Sequence, residues 1–394
     1  MFVVRVPLFV LTLLLLQACG GPARPVDALV SDGTLSAAAQ LGKAVFHDVT
    51  LSASGRMSCA SCHDPARGHA SPFASPVAFG GAGFPADQSD AASGLRLSPA
   101  IRYLRYNSAF RIEPDGTPRG GFFWDGRASS LAEQAQKPFL AGNEMANINA
   151  ADVVAKLARA PYAERFRQVF GEDILTDPTR ALERMGFALE RYQIEDPDFA
   201  PFSSKFDAVN AGRARFSDAE QRGLDWFNRR DKGNCAACHP STKPPNAPAA
   251  LFTDFSYDSL GAPRNAGIAA NRDPLFFDLG LCGPVRGDLS SRTDLCGRFK
   301  VPSLRNVALR QRFFHNGRFD SLAEVLRFYA TRDTRPARWY PGPVYDDLPE
   351  ALRGNVNTSE APYNRRPGQA AALTDAELSD LLAFLNTLTD GYVP

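Results

Sequence analysis

Runs of lysine or arginine are absent from this chain, and its 44 basic and 43 acidic side chains leave a formal net charge of +1. A nucleic acid or an anionic lipid surface is therefore not an expected partner. Hydrophobic residues make up 44% of the 394 positions, which is enough for the cores of two ordinary domains. The 30 prolines and 31 glycines predict many turns and long connections.

The N-terminus has the pattern of a targeting segment. One basic residue, Arg5, precedes an apolar run over residues 6–16 that is too short to span a bilayer. This pattern predicts a signal peptide. Residues 16–19, Leu-Gln-Ala-Cys, resemble a bacterial lipobox. We expect removal of residues 1–18 and lipidation of Cys19, the first mature residue. An ordinary signal peptide cleaved nearby is the alternative, and both predict a periplasmic protein, with membrane attachment only through the anchor.

Four of the seven cysteines lie in two short motifs, each with a histidine directly after its second cysteine. The motifs are Cys59-Ala-Ser-Cys62-His63 and Cys235-Ala-Ala-Cys238-His239. Two thiols at this spacing can add to the two vinyl groups of a haem, and the adjacent histidine then lies under the iron. We therefore predict two covalent haem c groups with the motif histidines as iron ligands. A zinc or thiol-redox site is the alternative, but neither requires that histidine twice.

Cys282 and Cys296 remain after the motifs and the lipobox are assigned. Two leftover thiols outside the cytoplasm are expected to form a disulfide, since that compartment is oxidising. Two buried free thiols are the alternative.

An internal duplication surrounds the two motifs. The segment before each motif has a matching form, and the second begins with a capping box at residues 217–220. The other matching pairs are residues 96–102 with 300–305 and residues 122–133 with 313–324. Each half ends in a long predicted helix, one near residues 180–192 and one that starts at the capping box of residues 374–377.

This repetition predicts the architecture. We expect a mainly α fold of two tandem cytochrome-c-like haem domains with long Pro/Gly-rich loops. The first domain is predicted over residues 30–205 and the second over residues 206–394, because prolines and a glycine interrupt the helical pattern around that boundary.

The second axial ligand of each iron is harder to find, because methionine and histidine are the usual ones and both are scarce. The chain has four methionines, none of them in its second half. The duplication pairs Pro138 with Tyr329, each one helical turn after Gln134 or Val325. Proline cannot bind iron, whereas a phenolate can and stabilises oxidised iron. From the residues alone, Tyr329 is either a ligand of the second iron or a core aromatic.

These residues resemble the bacterial dihaem cytochrome c peroxidases and MauG-like enzymes, from about Leu35 to the C-terminus. The specific marks are both haem motifs, residues 123–127, and residues 299–307 followed by residues 314–317. The resemblance implies that peroxide binds at the first haem. It further implies a distal pocket that contains Gln134, Pro138 and Glu144.

The same resemblance implies that Trp124 lies between the haems. It also favours Tyr329 as an iron ligand, since MauG-like members carry tyrosine where peroxidases proper carry methionine. The segment between Cys282 and Cys296 is similar to a methanobactin-associated, MbnH-type branch. Enzymes of that branch oxidise a tryptophan of a partner protein.

Two departures from the family pattern stand out. A histidine that blocks the first haem in many peroxidases would fall near Phe79, and we interpret the nearby His69 as structural or propionate-contacting. The family's calcium site between the haems has asparagine where this chain has Leu97, and its carbonyl donors would come from Arg310 and Arg312. Calcium is therefore left open as a cofactor.

The resemblance implies an oxidoreductase that uses hydrogen peroxide to form a high-valent bis-haem state. That state would oxidise a substrate by long-range electron transfer, with a residue of a secreted partner protein as the expected substrate. Glu144 would move a proton of the peroxide, and Trp124 would relay an electron. Without the resemblance, Glu144 is equally a solvated loop carboxylate and Trp124 a core aromatic.

Two alternatives remain open. One is a peroxidase that reduces hydrogen peroxide with electrons from a small cytochrome or copper protein. The other is a non-enzymatic electron-transfer cytochrome, which needs both irons six-coordinate.

Overall fold

The computed structural model describes residues 35–86, residue 89 and residues 92–393. The predicted signal peptide, the lipobox and Cys19 lie outside the described residues. Within those ranges, no helix combines the length and the apolar character needed to cross a membrane.

The described residues form a mainly α structure with long loops, as predicted. The helices are α1 (Ala37–His47), α2 (Cys59–Cys62), α3 (Leu131–Leu140), α4 (Ala150–Leu157), α5 (Ala163–Phe170), α6 (Pro178–Glu195), α7 (Lys205–Asn210), α8 (Asp218–Asn228), α9 (Leu322–Thr331) and α10 (Asp375–Asn386). Strands β1 (Arg111–Ile112) and β2 (Pro118–Arg119) form one antiparallel pair, and β3 (Tyr257–Asp258) and β4 (Phe299–Lys300) form the other.

The helix starts follow from local chemistry. Helix α8 begins at a capping box in which Ser217 and Glu220 satisfy each other's backbone N–H groups. Helix α10 begins in the same way with Thr374 and Glu377. Both capping boxes predicted from the sequence are therefore confirmed, as is the long helix near residues 180–192, which is α6.

Two crossings of long helices organise the fold, and they repeat each other. Helix α1 packs on α6, and α8 packs on α10. Gly42 and Gly223 lie at these crossings, each six residues after the N-cap serine of its helix. A Cβ atom at Gly42 would lie 2.0 Å from the carbonyl oxygen of Ala188, and one at Gly223 would lie 2.1 Å from that of Asp380. The close approach of each helix pair therefore depends on glycine.

Two hydrophobic cores follow from this repetition. One is built from residues between 41 and 199 and the other from residues between 206 and 388. Contacts between them are extensive enough that Leu35–Pro394 forms one compact unit. For example, the Leu97 N–H donates to the His315 carbonyl at 2.7 Å. The boundary at residues 205 and 206 stays a prediction.

The segment before each of α3 and α9 also repeats. Phe123 and Phe314 have φ angles of 66° and 65°, a left-handed conformation that is uncommon for aromatic residues. Pro138 is the eighth residue of α3, and Tyr329 is the eighth residue of α9. Proline and tyrosine therefore occupy the same place in matching helices.

The structure joins Cys282 and Cys296 by a disulfide, with a Cα–Cα distance of 5.0 Å. Leu281 and Leu295 next to them are almost fully buried. We expect the Cys282→Ala/Cys296→Ala double variant to lose about 3 kcal/mol of unfolding free energy, because the cross-link restricts the unfolded chain. Urea titrations of both proteins test this. An unchanged unfolding free energy, or free thiols at both positions in protein from an oxidising compartment, would contradict the prediction.

Candidate haem centres

All four motif thiols are held in a neutral state. Burial raises the pKa of Cys59 and Cys62 to about 12, and it does the same for Cys235 and Cys238. Thiols that work in redox exchange or zinc binding have lowered pKa values instead. The setting therefore fits thiols that form thioethers with a haem better than it fits the redox alternative.

The two motif histidines are neutral as well, which is the form that binds iron. Burial lowers the pKa of His63 to about 4, and it also lowers the pKa of His239. The His239 Nδ1–H donates to the Phe252 carbonyl at 2.8 Å. This bond leaves the lone pair of His239 Nε2 available to a metal. The residues at both motifs thus fit a haem iron.

A large cavity extends from the second motif. Its wall includes His239, Tyr329, Trp124, Lys300, Arg310 and His315. Burial raises the pKa of Tyr329 well above its usual range, and the nearby Cys238 and Cys235 raise it further. The phenol is therefore neutral on its own, and a phenolate forms only when a metal cation displaces the proton.

The predicted distal residues of the first haem come together. Gln134 and Pro138 lie one turn apart on α3, both half-buried. The Met145 N–H donates to the Pro138 carbonyl at 3.1 Å, which fixes the loop that carries Glu144 beside the helix. The charge of Glu144 also acts on the thiols of the first motif, whose pKa values it raises.

Burial and one nearby cation act on the Glu144 carboxyl in opposite directions. Burial raises the pKa of its carboxyl, and the nearby Arg127 opposes the rise in part. The Arg127 guanidinium lies 3.6 Å from the centre of the Phe123 ring and donates to Asp125 at 2.9 Å. Sequence reasoning gave Arg127 no role. Its place in the duplication, where Arg318 matches it, was the available signal.

Trp124 connects the two halves. Its indole N–H donates to the Leu97 carbonyl at 2.7 Å, and its own carbonyl accepts from the Lys300 N–H at 2.9 Å. The side chain is 9% exposed and lines the cavity of the second motif. The position is thus compatible with a relay between the haems and with a packing role.

The segment around Phe79 lies against the Glu144 loop, since the Gly81 N–H donates to the Glu144 carbonyl at 2.7 Å. His69 lies elsewhere, fully buried, with its ring centre 4.2 Å from that of Phe199. Burial lowers the pKa of His69 to about 3. These contacts favour a structural role for His69.

Two of the three residues at the predicted calcium position, Arg310 and Arg312, bring positive charge to the cavity. Leu97, Arg310 and Arg312 all line the wall next to the second motif. Within the described ranges, no group of three or more His, Cys, Asp or Glu residues is arranged to hold a metal ion.

His315 also lies in the wall of the cavity, and its ring stacks on Phe299 with ring centres 3.4 Å apart. Its Nε2 is 3.8 Å from an Asp347 carboxylate oxygen. The stacking and the carboxylate restrain this ring.

Comparison with known proteins matches this geometry to a family. Residues 36–215 match the family model described as di-haem cytochrome c peroxidase. The methylamine utilization protein MauG of Paracoccus denitrificans (strain Pd 1222) is 35% identical over 381 residues, covering 93% of this chain and 90% of that protein. This chain belongs to the di-haem cytochrome c peroxidase and MauG family. The predicted resemblance is therefore confirmed, and the chain is a peroxide-dependent haem oxidoreductase.

Two solved structures support the same fold. The diheme peroxidase BthA from Burkholderia thailandensis E264 is 42% identical with a TM-score of 0.82, covering 90% of this chain and 86% of that one. A MauG-like protein associated with microbial copper homeostasis is 25% identical with a TM-score of 0.62, covering 91% of each chain. The two tandem haem domains predicted from the sequence agree with the first of these structures, which is a diheme peroxidase.

The attachment of the two haems gives a direct prediction. The purified protein is expected to exceed the mass of its polypeptide by two haems. Cys62→Ala and Cys238→Ala are each expected to remove one haem, because each of these thiols forms one of the two thioethers that attach its haem. Intact-protein mass spectrometry measures this. A single haem in the unmutated protein would exclude the two-centre description.

Proposed function

We propose that this protein is a MauG-like oxidase that binds peroxide at a first haem, held by Cys59, Cys62 and His63, and keeps a second haem ligated by His239 and Tyr329. The observation that carries the proposal is the difference at one position of the duplication. Pro138 stands at the eighth residue of α3, where α9 has Tyr329. Proline could not bind the iron of a first haem and would leave room for a small ligand, whereas the Tyr329 phenol could hold the iron of a second haem.

When bound, the haem pair supplies the redox chemistry, passing two electrons to peroxide and recovering them from a substrate. Peroxide takes up two electrons and two protons and gives two molecules of water. The substrate loses two electrons and two protons. The protein must therefore move protons at the first site and electrons between the two sites.

Glu144 moves the proton. Its carboxylate accepts a proton from one peroxide oxygen and returns it to the other, which becomes the leaving water. The raised pKa of Glu144 supports this role, because a carboxyl whose pKa lies nearer to neutrality both accepts and releases a proton efficiently. Gln134, one turn before Pro138, is an amide donor that can orient the bound peroxide.

Trp124 relays the electron, because its hydrogen bonds join the first half at Leu97 to the second at Lys300. Tyr329 favours the oxidised state of the second iron, since a phenolate carries negative charge. The substrate is oxidised at the protein surface, and we propose a residue of a secreted partner protein. The proposal includes export to the periplasm by residues 1–18 and a lipid anchor at Cys19.

Exchange of Trp124 for phenylalanine tests whether electron relay by Trp124 is separate from proton transfer by Glu144. Peroxide should still be consumed at the parent rate, because Glu144 and the first site are intact. Sharing of the oxidising equivalents between the haems should fall by about tenfold or more, because the relay is lost. Rapid-mixing spectroscopy that follows both haems measures the two steps separately.

The matched control is Trp226→Phe, a half-buried tryptophan on α8, which should leave both steps unchanged. If Trp124→Phe also leaves the sharing step unchanged, Trp124 is a packing residue and the relay assignment is wrong. If it abolishes peroxide consumption, Trp124 belongs to the peroxide site instead.

A further inference from the structure

Arg310 is an unusual cation. It lines the cavity of the second motif together with His239 and Tyr329. Its Nη2 donates to the Ser303 carbonyl at 2.5 Å and to the Arg305 carbonyl at 3.4 Å. Its Nε is buried without a hydrogen-bond partner among the described residues. The backbone therefore satisfies Nη2, while the Nε–H is left without a partner.

The charge of Arg310 is also uncompensated. Burial lowers the pKa of its guanidinium to about 10, and no carboxylate of the described residues offsets this. The same cation shares the cavity wall with His239, the motif histidine. A buried cation without a counter-ion is costly, so such a group usually faces an anion that the folded protein binds.

The neighbouring cations differ in this respect. Arg305 is buried but makes two bonds of 2.8 Å to the Asp207 carboxylate. Lys300 donates to the Gly120 carbonyl and to the Tyr257 hydroxyl. Arg312 donates to the Ala74 carbonyl and lies 3.9 Å from an Asp320 carboxylate oxygen. Among the three arginines, Arg310 is therefore the one without a carboxylate neighbour, and unlike Lys300, whose ammonium donates to two oxygens, it keeps a buried N–H without a partner.

We propose that Arg310 binds a propionate carboxylate of the second haem and neutralises its charge. A haem carries two carboxylates, and a guanidinium pairs with a carboxylate through charge-assisted hydrogen bonds. The unpartnered Nε–H of Arg310 supplies a donor for that pair. The inference rests on the proposed haem at Cys235 and Cys238. In it, the Arg310 side chain supplies the positive charge that a calcium ion would otherwise bring to this wall of the cavity.

The reduction potential of the second haem tests the assignment in the holoprotein. A cation beside a haem disfavours the more positive ferric state, so its removal favours oxidation. In Arg310→Gln, we expect the ratio of reduced to oxidised second haem at a fixed potential to fall by about tenfold or more, which is 59 mV for a one-electron couple. Spectroelectrochemical titration measures this ratio, after mass spectrometry has verified two haems per chain.

Two further variants serve as controls. Arg310→Lys keeps the charge and loses the planar fork, so the ratio should change by less than about threefold. Arg312→Gln removes a cation of the same wall that already has an acidic neighbour, and it should also change the ratio by less than about threefold. The resonance Raman band of propionate bending should shift in Arg310→Lys, because the hydrogen bonds to the carboxylate change.

An Arg310→Gln ratio within about threefold of the parent, in protein with both haems, would overturn the assignment. If Arg310→Gln does not fold, an unshifted propionate band in Arg310→Lys would overturn it instead. A shifted potential in a protein that ignores peroxide would leave the Arg310 assignment standing and reject the proposed oxidase function, so the two failures are distinguishable.

Discussion

Replacement of Glu144 by glutamine is expected to slow the reaction of the ferric protein with hydrogen peroxide by about 100-fold or more, the scale for the loss of a positioned acid–base group. Glutamine keeps the size and the loop contacts of Glu144 but cannot accept a proton. Stopped-flow absorbance after mixing with peroxide measures the rate constant.

Glu164→Gln is the matched control, since Glu164 is an exposed carboxylate on α5 that forms an ion pair with Arg167. It should leave the rate unchanged. A Glu144→Gln rate within about threefold of the parent would show that this carboxylate has no part in the proton transfer.

The rate of the same reaction is also expected to depend on pH through the protonation of Glu144. Glu144 must be a carboxylate to accept the proton, and burial raises its pKa. The rate should therefore increase as the pH rises through an apparent pKa above the usual glutamate value of about 4.3, and it should fall as the pH drops below that point. In Glu144→Gln this step should disappear. A step that persists unchanged in the variant belongs to another group.

Exchange of Tyr329 for phenylalanine is expected to remove the low-spin signal of the second haem and to abolish sharing of the oxidising equivalents. Phenylalanine fills the same space but offers no oxygen to the iron, and the phenolate charge that stabilises oxidised iron is lost. Electron paramagnetic resonance of the ferric protein measures the spin state of each haem. The first haem should remain five-coordinate and high-spin, since Pro138 is unchanged.

Tyr345→Phe is the control for this change. Tyr345 lines the same cavity, but its hydroxyl donates to Asp333 at 3.0 Å, so the haem signals should not change. An unchanged low-spin signal in Tyr329→Phe would reject tyrosine ligation. His315, which lies in the same cavity wall, would then be the next ligand to test.

Much of the architecture could be predicted from the sequence because it depends on short-range chemistry. The capping boxes at Ser217 and Thr374 set the starts of α8 and α10 through bonds within four residues. The duplication, which is visible when the chain is compared with itself, matches Pro138 with Tyr329 from the sequence alone. The structure gives both residues the same place in their helices.

The electrostatics of the candidate sites could not be predicted in this way. The effect of Arg127 on Glu144 depends on how a loop folds back on α3. Nothing in the sequence distinguishes Arg310 from a surface arginine. In the structure its guanidinium is buried in the same cavity wall as His239, and no carboxylate balances its charge. Such properties depend on contacts between distant segments, which local patterns do not specify.

The most direct test of the central claim compares the fully ferric protein with the protein reduced by one electron. Both are mixed with one equivalent of hydrogen peroxide, and the oxidising equivalents retained are counted by reductive titration. An open first iron and a tyrosine-ligated second iron predict that the ferric protein reacts at once and retains two equivalents shared by both haems. A ferric protein that ignores peroxide until one haem is reduced would contradict this account and favour an ordinary peroxidase. If neither form reacts, the protein is an electron carrier.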